Sequence, residues 1–244
     1  MPVALVIAVG FAVLFVGGGA RFAVGLIFKP MVDELGWARG ELGLAVGLYL
    51  VVSAFATFIA GRLADRMDAR ALLGAGTLLG GIGIGLMSLV SAPWQAMLLY
   101  GVIFAIGNGT ASLTTVGVVV TRSVPRRAGL ANAAVISGTS VGQLVMIAAL
   151  AAVLVEIGWR AVFVWLAAAH LVMLPLLAPA LPGMKPPGAA GAQRTGLDLA
   201  AAARTPRFWL LVAMYAICGL DDFFVATHVV AFAQDRGIAA LVAG

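Results

Sequence analysis

ALLGAGTLLGGIGIGLMSLVSAPWQAMLLYGVIFAIGNGTASLTTVGVVVT, residues 71–121, contains no Asp, Glu, Lys or Arg. A helix covers the roughly 30 Å of bilayer hydrocarbon with about 20 residues, so this stretch is too long for one crossing. Ser91-Ala92-Pro93-Trp94-Gln95 interrupts it as a tight turn should, which divides it into two spans, 71–91 and 94–121. The apolar character is continuous rather than alternating over about ten residues, so the spans are helices and not barrel strands.

Uncharged runs of similar length recur at 1–20, 42–61, 128–155 and 161–184. With 63% hydrophobic residues, 10% charged residues and a mean hydropathy of +1.10 over 244 residues, the chain falls outside the soluble globular class. Spans are expected at 3–29, 41–61, 71–91, 94–121, 128–156, 160–180 and 207–233, with an eighth beginning before Gly244. Gly18-Gly19-Ala20 looks like a signal-peptidase site, but no basic residue precedes the apolar run and the run resumes to Phe28, so no cleavage is expected. Small residues spaced four apart, Gly43-x-x-x-Gly47 and Gly138-x-x-x-Gly142, are expected to let helix backbones approach closely.

Residues 181–206 form the one long connection, rich in Pro, Gly and Ala. They read as a linker between a six-helix bundle, 1–180, and the start of a second bundle, 207–244. With the N-terminus in the cytoplasm, ten basic residues lie inside: Arg62, Arg66, Arg70, Arg122, Arg126, Arg127, Lys185, Arg194, Arg204 and Arg207. Four lie outside: Lys29, Arg39, Arg160 and Arg236. The excess places the N-terminus and the linker in the cytoplasm. The formal charge of +5 is thus spread over short loops, and nucleic acid is not an expected partner. The single cysteine, Cys218, lies in a span and excludes an intrachain disulfide. Aligning Gly36 with Gly237 pairs Glu34 with Asp235 and Arg21 with Asp222, so spans one and seven read as repeats with Arg21 and Asp222 at similar depth.

Gly61-Arg62-Leu63-Ala64-Asp65-Arg66-Met67-Asp68-Ala69-Arg70 resembles the signature loop of the major facilitator superfamily, departing at Asp68 where that pattern usually has a second glycine. Arg21 to Pro30, with Glu34-Leu35-Gly36-Trp37 and Arg39, is similar to the end of the first helix in the superfamily's monocarboxylate transporter-like branch, which includes oxalate/formate-type exchangers. Gly158-Trp159-Arg160, Phe208-Trp209, Cys218-Gly219 and His228 fit the same branch. The resemblance implies an all-α fold of twelve transmembrane helices, of which this chain carries the first six, span seven and the start of span eight. It further implies a transporter of small organic anions, coupled to protons or working by exchange, in the bacterial cytoplasmic membrane. No cofactor is expected, and a monomer is the expected state.

Buried ionisable residues in a membrane face a cavity or a partner, because exposure to hydrocarbon is costly. Arg21 lies deep in span one, where its planar fork of donors suits a carboxylate. It is either an anion clamp or an ion-pair partner of Asp221 or Asp222. Those two carboxylates sit in the middle of span seven about 100° apart, so one is expected toward the cavity as a proton-coupling group. Asn108 and Thr115 share a face of span four by i, i+7 spacing, and Gln143 stands in span five; Asn108, Gln143 and His228 are candidate substrate ligands beside Arg21. His170 reads as a packing residue. Gly61, Asp65, Arg66, Arg70 and Arg122 are candidate gating residues, with Arg122 expected to pair with Asp65 and latch one conformation.

Competing readings are a carrier of another solute such as a drug, which the lack of a glycine-proline signature between Asn132 and Gln143 speaks against, and a non-transporting receptor of the same fold. An enzyme is not expected, because no metal cluster, phosphate loop or nucleophile-base arrangement is present.

Overall fold

The computed structural model of this protein describes residues 3–64, 66–180 and 199–236. All regular structure among them is helical: α1 (Val3–Leu35), α2 (Arg39–Ala64), α3 (Ala69–Leu86), α4 (Pro93–Leu98), α5 (Ala105–Thr110), α6 (Leu113–Ser123), α7 (Ala128–Ala180), α8 (Leu199–Ala202), α9 (Pro206–Phe224) and α10 (Val230–Asp235). Five helical stretches among the described residues are long and apolar enough to cross a membrane. Most of the linker, residues 181–198, and the start of span eight, residues 237–244, lie outside the described residues, as does Asp65.

Local sequence accounts for the breaks. α1 ends at Gly36, whose φ of 67° lets the amides of Gly36 and Trp37 turn back onto the Val32 carbonyl. Asp68, the departure from the signature loop, is the N-cap of α3 and accepts a hydrogen bond of 2.9 Å from the Arg70 amide. Its φ of −64° makes no demand for glycine. Between α3 and α4 the Gln95 carboxamide oxygen accepts from the amides of Ser91 and Ala92 at 2.8 and 3.1 Å, and Pro93 opens the next helix.

The fourth and seventh expected spans are more irregular than their sequence suggested. The fourth span consists of α4, a π-helical turn at Leu99–Phe104, α5, a break at Ala111 and Ser112, and α6. The fifth and sixth expected spans are the two helices that make up the range α7; they meet at Gly158, inside the expected junction, where φ 76° and ψ 160°, a conformation open essentially to glycine alone, break the helix. Span seven is α9, a π-helical turn at Val225–Val229, and α10.

The first half is built around α1, which packs along α7. Gly138 and Gly142 lie directly against the carbonyls of Phe11 and Phe15, so this small-residue pair makes the close approach expected of it. Gly43 and Gly47 differ: a Cβ on either would meet nothing within 4 Å among the described residues. One apolar core surrounds Leu26, Tyr49, Tyr100 and Phe163, and a second, nearer the Ala64 end of the bundle, surrounds Val9, Leu73, Val120 and Val135.

Candidate functional site

Spans one, two and four meet at a polar layer inside the first core. Asn108, in the short α5 just before the helix break, donates from Nδ2 to the Gly17 carbonyl of α1 at 3.0 Å. Its Oδ1 accepts from the Tyr49 hydroxyl of α2 at 3.4 Å. The Tyr100 hydroxyl, on the π-helical turn, donates to the Arg21 carbonyl at 3.2 Å. Tyr49, Tyr100 and Phe104 stack with centroids 4.9 to 5.6 Å apart. The half-buried Arg21 side chain lies within electrostatic reach of both tyrosines, with its guanidinium carbon 4.9 Å from the centroid of the Phe22 ring. A cation and a carboxamide are thereby held on one wall of the bundle by aromatic packing.

The two tyrosines escaped the sequence reading. For Tyr100 the signal was present, since Tyr100, Phe104 and Asn108 recur at four-residue spacing along one span. Thr115, expected on the face of Asn108, is instead fully buried beyond the break at Ala111 and Ser112, which interrupts the helical phase relating them.

The other expected ligands are not gathered there. Gln143 follows Gly142 on α7 and is partly buried, and no hydrogen bond joins it to Arg21 or Asn108 among the described residues. Asp221 and Asp222 are exposed on α9, with neither within ion-pair distance of Arg21 among the described residues. His228 is exposed on the second π-helical turn with its ring 5.0 Å from that of Phe224. Span seven meets α1 mainly through that turn and α10, beyond the acidic pair.

Of the gating candidates, Arg122 donates from Nη1 to the Ala64 carbonyl at 3.0 Å and so caps the C-terminus of α2. Its expected partner Asp65 lies outside the described residues. Gly61 packs near Thr114, Arg66 is exposed in the turn, and Arg70 occupies the first turn of α3.

The opposite end of the bundle carries links between distant segments. Lys29 contacts Asp33 at 2.7 Å and Asp235 of α10 at 3.6 Å, joining spans one and seven. Glu34 accepts from Trp159 Nε1 at 2.6 Å and pairs with Arg160, whose guanidinium carbon lies 4.1 Å from the centre of the Trp159 ring. The kink at Gly158 delivers both residues to α1. No group of three or more His, Cys, Asp or Glu that could hold a metal occurs among the described residues.

The geometry is that of a helical bundle with a half-buried cation on one wall. The model of the Major Facilitator Superfamily matches residues 10–244, and the chain belongs to that superfamily, whose members are transporters rather than enzymes. A multidrug resistance protein, MdtH, of Yersinia pestis (strain Pestoides F) is 34% identical over 90 residues, 37% of this chain and 20% of that protein. Among solved structures, a peptide transporter of the POT family in complex with sulfate superposes with a TM-score of 0.60 at 16% identity, covering 97% of this chain and 50% of that one. A POT family transporter in complex with 5-aminolevulinic acid superposes at 0.58 and 17% identity, covering 96% and 49%. The chain thus spans about half the length of these solved transporters, and the likeness to them establishes the fold.

Proposed function

We propose that the full-length protein is a secondary active transporter of small organic anions, of the monocarboxylate class, working by alternating access around a midplane site. The observation that carries this is Arg21, a half-buried guanidinium in the middle of span one beside two buried tyrosines and Asn108. Arg21 binds the carboxylate, and Asn108 orients it in another state of the carrier, once its bonds within the bundle open. Gln143 and His228 are further ligands in another state of the carrier, and Asp221 or Asp222 carries the coupling proton in symport, or stands idle in exchange.

In this reading residues 1–180 form the first bundle, 181–206 the cytoplasmic linker and 207–244 the start of the second. The N-terminus faces the cytoplasm of a bacterium and the carrier acts as a monomer. The contact of Lys29 with Asp235 then closes the outer side between spans one and seven. Gly61, Asp65, Arg66, Arg70 and Arg122 govern the inner side. A charge-assisted hydrogen bond contributes about 1.5–3 kcal/mol, so loss of the guanidinium weakens anion binding by about 10- to 100-fold.

The test is uptake of labelled short monocarboxylates into proteoliposomes holding the full-length protein. Arg21→Ala abolishes uptake, Arg21→Lys retains part of it, and wild-type uptake by Arg21→Ala refutes the assignment. A second reading, export of a lipophilic drug, draws on the 34% identity to a multidrug resistance protein. It requires drug flux that survives Arg21→Ala and depends on Asp221 or Asp222.

A further inference from the structure

We propose that the first bundle binds one water molecule at a site of its own, where the water bridges the Thr77 hydroxyl of α3 to His170 Nε2 of α7. A cavity of about 10 Å³ lies where Gly17 of α1, Thr77 of α3, Asn108 of α5 and His170 and Met173 of α7 converge. That is the space a single water needs, counted as room for the centre of a water-sized sphere, and too little for any larger ligand.

The polar groups around it are matched to water. His170 is 4% exposed, and its Nδ1 lies 2.8 Å from the Leu166 carbonyl. A carbonyl only accepts, so Nδ1 carries the proton of the neutral ring and Nε2 is left as an acceptor. Phe104, edge-on to the imidazole at 6.1 Å between centroids, packs against the ring, and a Cβ at Gly81 would press to 3.0 Å from the His170 Cβ. Thr77 is 3% exposed, and its Oγ1 has no hydrogen-bond partner among the described residues. The Asn108 amide lines the same cavity and has a second hydrogen beyond the one it gives to Gly17.

One water donating to Nε2, exchanging a bond with Thr77 Oγ1 and accepting from Asn108 has the three partners usual for an internal water. Among the described residues no Asp, Glu, Lys or Arg lines the cavity, and a neutral ligand follows from that. The water extends the Asn108–Tyr49 layer to α3 and the far half of α7, so all the helices of the anion wall share one hydrogen-bonded network.

The experiment is a map of the full-length protein in nanodiscs at a resolution that shows buried waters, for wild type, Thr77→Ser and Thr77→Val. Wild type and Thr77→Ser show a density peak about 2.7–3.2 Å from both Oγ1 and His170 Nε2. In Thr77→Val, which keeps the shape and removes the hydroxyl, the peak falls below detection. A direct Thr77–His170 bond with no intervening peak in wild type overturns the proposal, and so does an undiminished peak in Thr77→Val. The readout uses no substrate, so it stands or falls separately from anion transport.

Discussion

Replacement of Gly142 by alanine probes the packing that holds the first bundle together. A Cβ at Gly138 would sit 2.5 Å from the Phe11 carbonyl oxygen, and one at Gly142 would lie closer still to that of Phe15. Carbon and oxygen rest in ordinary contact at about 3.3 Å or more, so α1 and α7 must separate by about 1 Å. The obstacle is backbone, which cannot swing aside as a side chain can. Overpacking of this kind costs about 1–3 kcal/mol, here toward the upper end, while the better helix propensity of alanine returns up to about 1 kcal/mol. The net loss is about 2 kcal/mol, or about 4–8 °C in midpoint for a chain of this size. Gly47→Ala gains the same propensity and meets nothing within 4 Å among the described residues, so its midpoint stays level or rises. Thermal loss of helical ellipticity of the 244-residue chain in nanodiscs measures both. Equal midpoints for the two variants, or a Gly142→Ala midpoint at the wild-type value, would refute the packing argument.

Gly158→Ala forces a side chain into φ 76°, ψ 160° and is expected to destabilise the chain by about 1–3 kcal/mol in the same melting experiment, with Trp159 fluorescence reporting loss of its contact with Glu34. Lys29→Cys with Asp235→Cys should cross-link rapidly and arrest transport by full-length protein, and reduction should restore it; free transport by the cross-linked pair contradicts a gate at this position.

Span positions were legible because a hydrophobic run is a local property: the uncharged stretch at 71–121, the turn at Ser91 to Gln95 and the N-terminal limit of α7 near Ala128 all stand as read. Arg21 and Asn108 were legible as polar residues in apolar surroundings, and the structure brings them to one wall through Tyr49 and Tyr100. The pairing of Arg21 with Asp222 by repeat offset was a statement about depth. Ion pairing also requires that two helices face each other at that depth, and spans one and seven meet farther along, at Val225–Asp235.

The sequence alone determined the membrane class, the helical fold, the order of the spans and the residues too polar to face lipid, because each follows from transfer into hydrocarbon, one segment at a time. Only the tertiary structure decided which of two identical glycine spacings is an interface, that Glu34 reaches Trp159 and Arg160, and that Thr77 and His170 share a cavity. Those choices depend on the rotation of each helix about its axis. Lipid is as apolar as the bundle interior, so the pattern of hydrophobic residues barely distinguishes one rotation from another, and backbone approach and polar pairing between distant segments select among them.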